Sequence, residues 1–351
     1  MNKKVDYLIV GQGIAGTLLA WFLEKAGQSF MIIDNDYADS STNIAAGIIN
    51  PITGRRFVKS WMIEALLPFA KKTYQEIEAA TELPIFKEME IIRYFQSNVE
   101  GNNWVTKTSY EEYEQYLSSK KLRQDLSGII NNSGGYGIVH GAKVDLRMVI
   151  KYFQLHYKSK GQLKIGTFDY TALQVRKDSV TYKDIEAKKV IFCEGYAACR
   201  NPWFKDLPFE SAKGEVFLLK IPNFQTPYII KKNQFLVPLG EELFWFGSNY
   251  EWEDLTNTPT LAGKTYLKER LADILKVDFE ILDHMAAVRP VLKDRRPALG
   301  LHPAHPSIAI LNGMGTKGTS IAPYWADRLV RFLLGQEELD REVDVGRFIH
   351  G

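Results

Sequence analysis

The chain has 351 residues, too many for one small hydrophobic core and natural for two linked domains or one elaborate one. Its 44 basic and 42 acidic side chains leave a formal charge of +2, which predicts no dominant polyanionic partner. No apolar run is long enough to span a bilayer, and a strand is expected so close to Met1 that no signal peptide precedes it, so the expected location is cytoplasmic.

Residues 7–10 form a short β-prone apolar run that stops at Gly11. Ile14, Leu18, Trp21 and Phe22 then recur at helical spacing as far as Lys25, Gly27 ends the helix, and 30–33 is a second apolar strand. Gly11-x-Gly13-x-x-Gly16 therefore lies across a strand-to-helix turn. Gly11 allows the tight turn, Gly13 lets a pyrophosphate approach the backbone, and Gly16 lets helix and strand pack closely. The pyrophosphate would sit on the positive helix N-terminus. Asp34 ends the second strand, about twenty residues past the glycines, where an acid accepts hydrogen bonds from a ribose diol and repels a 2′-phosphate. These residues point to a dinucleotide and leave NAD and FAD both open.

Small residues crowd next at Thr42, Ala45, Ala46 and Gly47, before Ile48, which suits backbone lying against a flat ring. The helical period returns over 60–81, and 85–95 reads as a strand or hairpin. Residues 109–126 read as a charged, solvated helix, and the turn-rich stretch 131–145 as a domain boundary. An amphipathic helix is expected over 146–157, then short strands with a polar hairpin, the last ending at Cys193 before Gly195. Residues 214–248 are β-rich, 266–275 helical, and 285–300 an irregular segment rich in Arg and Pro.

A final buried strand over 307–312 runs into Gly313, Gly315 and Gly318, and a helix is expected from Ala322 to Leu334. This second glycine turn offers another helix N-terminus to an electron-rich group. An isoalloxazine ring needs such a site when reduced, whereas a nicotinamide cofactor needs no second turn so far downstream. Apolar strands at the start, near 190 and near 310 imply an FAD-binding domain assembled from 1–52, 140–205 and 286–351. A substrate domain would be assembled from 53–139 and 206–285.

At this point the sequence resembles the D-amino-acid oxidase and glycine oxidase superfamily of flavoproteins over nearly its whole length. Residues 11–34 match the N-terminal fingerprint, and 42–51 resemble the flavin loop. Lys213-Gly214-Glu215-Val216 resembles an RGQ-type strand, and 236–251 a strand pair of that family. The sharpest match is Val288-Arg289-Pro290, Asp294 to Gly300, then 313–323. The resemblance implies an α/β fold: a Rossmann-like FAD-binding domain built from discontinuous segments, beside an α+β substrate domain with an antiparallel sheet.

It also implies noncovalent FAD and oxidation of a C–N bond next to a carboxylate, by hydride transfer to flavin N5. Arg289 falls where the family clamps the substrate carboxylate, and the cofactor would be held by Gly11, Gly13, Ile14, Ala15, Gly16, Asp34, Thr42, Ala46, Gly47, Ile48, Gly195, Gly313, Gly315, Thr316, Lys317, Gly318 and Thr319. Phe235 stands where glycine oxidases place a substrate-holding tyrosine. Thr316 stands where the family has a second arginine, with Lys317 beside it as a candidate replacement. No cysteine follows Arg289 to tether the flavin. The segments 313–318 and 286–290 look closer to the oxidase half of the bifunctional enzyme that builds 5-methylaminomethyl-2-thiouridine in tRNA, without its methyltransferase half.

The expected substrate is thus an amino acid or N-substituted glycine, with oxygen or a protein partner as electron acceptor. A tRNA-modifying amine oxidase, a flavin-binding dehydrogenase subunit and an NAD dehydrogenase are the alternatives. Cys193 and Cys199 are expected to be bystander thiols, and His302 and His305 surface residues, with no metal site. Arg55 and Arg56 follow the flavin loop and face either the active site or solvent.

Overall fold

Residues 7–10 and 30–33 are apolar at every position, the pattern of strands covered on both faces. In the computed structural model, which describes residues 3–36, 39–131 and 134–349, they lie in Lys3–Val10 and Phe30–Asp34. These are adjacent parallel strands joined by the Ile14–Lys25 helix. Ile185–Phe192 pairs parallel to Lys3–Val10 on its other side, and His305–Asn312 pairs parallel to Ile185–Phe192. Leu163–Ile165 closes the far edge beside Phe30–Asp34. The Leu146–Ser159 and Gly318–Leu333 helices both pack on Ile14–Lys25. This Rossmann-like unit comprises Met1–Asn43, Leu146–Ala212 and Val288–Gly351.

The second unit comprises Ile44–Asp145 and Lys213–Ala287. The units therefore change at 43/44, 145/146, 212/213 and 287/288, against divisions expected at 52/53, 139/140, 205/206 and 285/286. Its mixed sheet is mostly antiparallel, and Ile229–Lys231 runs parallel to Phe86–Tyr94. Alternate residues of each strand feed two apolar layers. Ile91, Ile229, Val237 and Trp245 lie on one face, and Ile92, Ile230, Leu236 and Phe246 on the other, which the Leu261–Ala272 helix covers with Leu267 and Leu271. No helix among the described residues is long and apolar enough to cross a membrane.

Four local expectations are corrected. The helix near residue 100 spans Asn98–Thr108, not 109–126. Ser97 Oγ accepts from Glu100 N and Glu100 Oε2 accepts from Gln96 N, a box-like cap that starts the helix there. Tyr113, Tyr116 and Leu117 then turn inward instead of lying on a solvated face. The turn-rich stretch before Asp145 is largely the strand Tyr136–Val144, with Asn132 and Ser133 outside the described residues. Its glycines mark close neighbours rather than turns: a Cβ on Gly137 would overlap the Trp104 ring. Residues 285–300 are not irregular throughout, because Glu280–Arg289 and Ala298–His302 are strands on either side of the Pro-containing turn. The last two helices also begin earlier than expected, at Leu261 and Gly318. Thr260 caps the former through Gly263 N.

Candidate active site

Three parallel strands of the first unit deliver Gly11, Gly195 and Gly313 just beyond their carboxyl ends, where open α/β sheets bind ligands. Gly11 has φ +97°, and a Cβ there would lie 2.5 Å from the Cys193 carbonyl oxygen. A Cβ on Gly16 would overlap the Gly11 carbonyl oxygen, so strand and helix approach only because Gly16 lacks a side chain. Asn312 ties the other two ends together: its Nδ2 donates to Gly195 O at 2.9 Å and its Oδ1 accepts from Gly313 N at 2.7 Å.

The Ile14–Lys25 helix opens at Gly13 with no side-chain cap and no acidic residue in its first turn. Thr42 Oγ1 accepts one N–H, that of Ile14, at 3.1 Å, and Ala15 is buried behind it. The Gly318–Leu333 helix likewise opens at Lys317 with no side-chain cap and no acid in its first turn, and Thr319 is buried. The two N-termini are neighbours, since a Cβ on Gly318 would touch Ile14 Cγ2 at 3.4 Å. Two positive helix ends thus converge in one unit.

Asp34 has a further task that the sequence reading missed. Its Oδ2 accepts from Gln12 N at 2.6 Å and its Oδ1 from Asp36 N at 2.7 Å, so it also pins the glycine turn. Lone pairs remain for a diol. Gln12 itself is 2% exposed, and neither side-chain Nε2 nor Oε1 has a hydrogen-bond partner among the described residues. A buried amide with unused donors and acceptors beside a glycine turn fits a ligand rich in hydrogen-bonding groups. Asp34→Ala should lower the unfolding free energy by about 1–3 kcal/mol, because Gln12 N loses its acceptor. It should also weaken flavin retention at least tenfold. An unchanged denaturation midpoint and flavin content would refute this double role.

Arg289 ends the Glu280–Arg289 strand, and the next carbonyl, that of Pro290, accepts from Gly315 N at 3.0 Å. The arginine is thereby fixed to the second glycine turn. Thr316 is exposed and Lys317 half-buried there; burial first, then the Arg296 and Arg295 charges, hold the Lys317 ammonium below the ordinary lysine range. Cys193 is buried with its thiol pushed up by desolvation, and both cysteines are free. Among the described residues no group of three His, Cys, Asp or Glu side chains could hold a metal ion.

Ala46, Gly47, Ile48 and Phe235 belong to the second unit. Gly47 has φ +71°, and a Cβ there would overlap the Val144 carbonyl oxygen, so the strand Tyr136–Val144 already accounts for its small size. Ala46, Ile48 and Phe235 share one apolar layer with Phe57, Val237 and Trp245. Arg55 and Arg56 are exposed.

A family model described as FAD dependent oxidoreductase (DAO) matches residues 6–331. The chain belongs to that family. FAD is accordingly the group that the converging glycine turns suit, and the enzyme is an FAD-dependent oxidoreductase of the DAO type. The chain is 22% identical to the glycine oxidase of Bacillus subtilis (strain 168) over 97% of its own length and 96% of the relative's. It is 21% identical, over 95% of its length, to the tRNA 5-methylaminomethyl-2-thiouridine biosynthesis bifunctional protein MnmC of Psychrobacter cryohalolentis, of which it spans 54%. The crystal structure of glycine oxidase from Geobacillus kaustophilus superposes with a TM-score of 0.79 at 17% identity, covering 100% of both chains. At that identity the likeness concerns the fold.

Proposed function

We propose that this DAO-family enzyme oxidises the C–N bond of a small amino acid or N-substituted glycine. The observation that carries the reading is the hydrogen bond from Gly315 N to Pro290 O, which joins Arg289 to the turn that opens the Gly318–Leu333 helix. A guanidinium in that position holds a carboxylate bidentately and fixes the adjacent carbon. When bound, FAD supplies a two-electron acceptor for the hydride of the carbon that bears the neutral amine. The chain's own work is orientation and electrostatics. Arg289 binds the substrate carboxylate, the glycine-turn N–H groups and the two helix ends favour negative charge, and Lys317 adds a desolvated amine beside the second turn. The imine product hydrolyses in water. The charge balance of 44 basic to 42 acidic residues favours a small free substrate over a tRNA-borne one.

The test is an anaerobic panel of amino acids and N-alkylglycines, read by loss of the flavin's visible absorbance. Glycine-like members should bleach it. If dithionite bleaches the flavin and no panel member does, amine oxidation is wrong.

A further inference from the structure

One carboxylate in the first unit has no part in the proposed chemistry. Glu194 stands just past the strand Ile185–Phe192, directly before Gly195. Its carboxylate is bound at both oxygens: Oε1 accepts from Tyr170 Oη at 2.6 Å, and Oε2 accepts from Asn201 Nδ2 at 2.8 Å. Asn201 is fully buried, and its amide cannot turn round because Oδ1 accepts from Trp203 N at 2.9 Å. Among the described residues Arg200 is the basic side chain that acts on Glu194, through its charge and without a hydrogen bond.

This carboxylate lies among the three strand ends that form the cradle. Cys193 N donates to Val10 O at 2.7 Å, and a Cβ on Gly11 would lie 3.3 Å from Glu194 Cα. On the other side Gly195 O accepts from Asn312 Nδ2, and Asn312 Oδ1 accepts from Gly313 N. Through Tyr170 and Asn201, the Glu194 side chain therefore pins the backbone that Gly11 packs against and that Asn312 joins to Gly313. The converging helix ends favour an anion here, whereas an ionised carboxylate next to them repels one. The conflict disappears when the carboxyl is neutral. A neutral carboxyl also fits the same partners: one oxygen accepts from Asn201, and the O–H donates to Tyr170 Oη, which accepts as well as donates.

We propose that Glu194 is a positioning residue for FAD and takes up a proton from solution when FAD binds. The proposal rests on the three glycine strand ends being the cofactor's cradle, and not on amine oxidation. Desolvation raises the Glu194 carboxyl above the ordinary glutamate range, against the opposing effects of Tyr170, Asn201 and Arg200. A bound pyrophosphate raises it further. Affinity for FAD is then greatest where the carboxyl is already protonated, and falls as pH rises through its free-protein value. The other groups that face it do not share this titration. The Tyr170 phenol and the Cys193 thiol are both pushed up, by desolvation first and by Glu194 second, and Arg200 is a fixed charge.

Retention of FAD by the holoenzyme tests this without turnover. Dilution releases flavin, whose fluorescence gives the dissociation constant. Between about pH 5.5 and 8.5 neither the pyrophosphate nor the oxidised ring of FAD titrates, and the constant should rise about tenfold. Calorimetry of FAD rebinding at the midpoint of that rise, in two buffers of different ionisation enthalpy, should reveal proton uptake. Glu194→Gln copies the neutral carboxyl, since its amide oxygen accepts from Asn201 and its N–H donates to Tyr170 Oη. At about pH 8.5 it should hold FAD about tenfold tighter than the native chain, with no pH dependence and no proton uptake. A purely structural role predicts a loss of affinity on substitution and not a gain. Tyr170→Phe removes a donor to the ionised form and should move the rise to higher pH. A native constant that is flat or falls with pH overturns the proposal. So does a rise that persists in Glu194→Gln, or weaker binding by that variant at about pH 8.5. The native titration and its calorimetry decide the matter even if Glu194→Gln does not fold. A chain that holds no flavin at any pH overturns the cradle together with the proposal, whereas failure of the amine panel leaves this result standing.

Discussion

Gly16→Ala is expected to yield a chain that holds no flavin and loses about 3 kcal/mol or more of stability. The added methyl would overlap the Gly11 carbonyl oxygen, and that carbonyl cannot retreat. Gly11 N donates to Ile33 O at 2.9 Å, while its own Cα faces the Cys193 carbonyl. Relief requires the Ile14–Lys25 helix to lift from Lys3–Val10, which withdraws the helix end from the site where it favours negative charge. Gly27→Ala is the control. Gly27 also has positive φ, at +69°, but a Cβ there meets nothing within 4 Å. Only backbone strain of about 1 kcal/mol should result, with flavin retained. Denaturant midpoints and the ratio of visible to ultraviolet absorbance measure both effects. Equal behaviour of the two variants would mean that close packing at Gly16 is not what shapes the turn.

Arg289→Ala is expected to keep its flavin and lose substrate. Removing a desolvated partner of a carboxylate costs about 2–5 kcal/mol, or roughly 30- to 5,000-fold in kcat/KM. Arg289→Lys should recover part of the loss, because an ammonium keeps the charge but not the bidentate geometry. The cofactor turn should survive, since the bond from Gly315 N goes to the Pro290 backbone and not to the arginine side chain. Stopped-flow reduction under anaerobic conditions separates binding from chemistry. Reduction kinetics unchanged from the parent enzyme would remove Arg289 from the site.

The glycine turns were legible because their signals are local. A strand, three glycines, a helical period and a terminal acid fall within residues 7–34, and the second turn repeats that grammar at 307–318. The helix at Asn98–Thr108 is equally local, since the pairing of Ser97 with Glu100 announces it, whereas the charged run after it only has the composition of a solvated helix. Tyr136–Val144 was hidden for a different reason. Glycine in a strand reads as a turn unless the neighbour that fills its place is known, and Trp104 is distant in sequence. The row in which Lys231 pairs with Phe235 across a hairpin and with Arg93 across a parallel pair lay beyond reach, because it depends on the register between two segments far apart in sequence. Lys231 in isolation belongs to a polar stretch, KKNQ, that reads as an ordinary solvated turn.

The three-segment construction of the flavin unit bears on how the enzyme comes into being. Lys3–Val10 leaves the ribosome well before its neighbour Ile185–Phe192 and the further strand His305–Asn312. At about 5–20 residues per second, translation separates the first strand from the last by on the order of 15–60 s. During that interval Lys3–Val10 has Phe30–Asp34 on one side but lacks its partner on the other, and the cradle for the prosthetic group is unfinished. The cradle is therefore completed only after His305–Asn312 has been made. Shielding of the nascent strand–helix–strand unit, and the supply of FAD once His305–Asn312 has emerged, should govern the yield of active enzyme more than the rate of synthesis does.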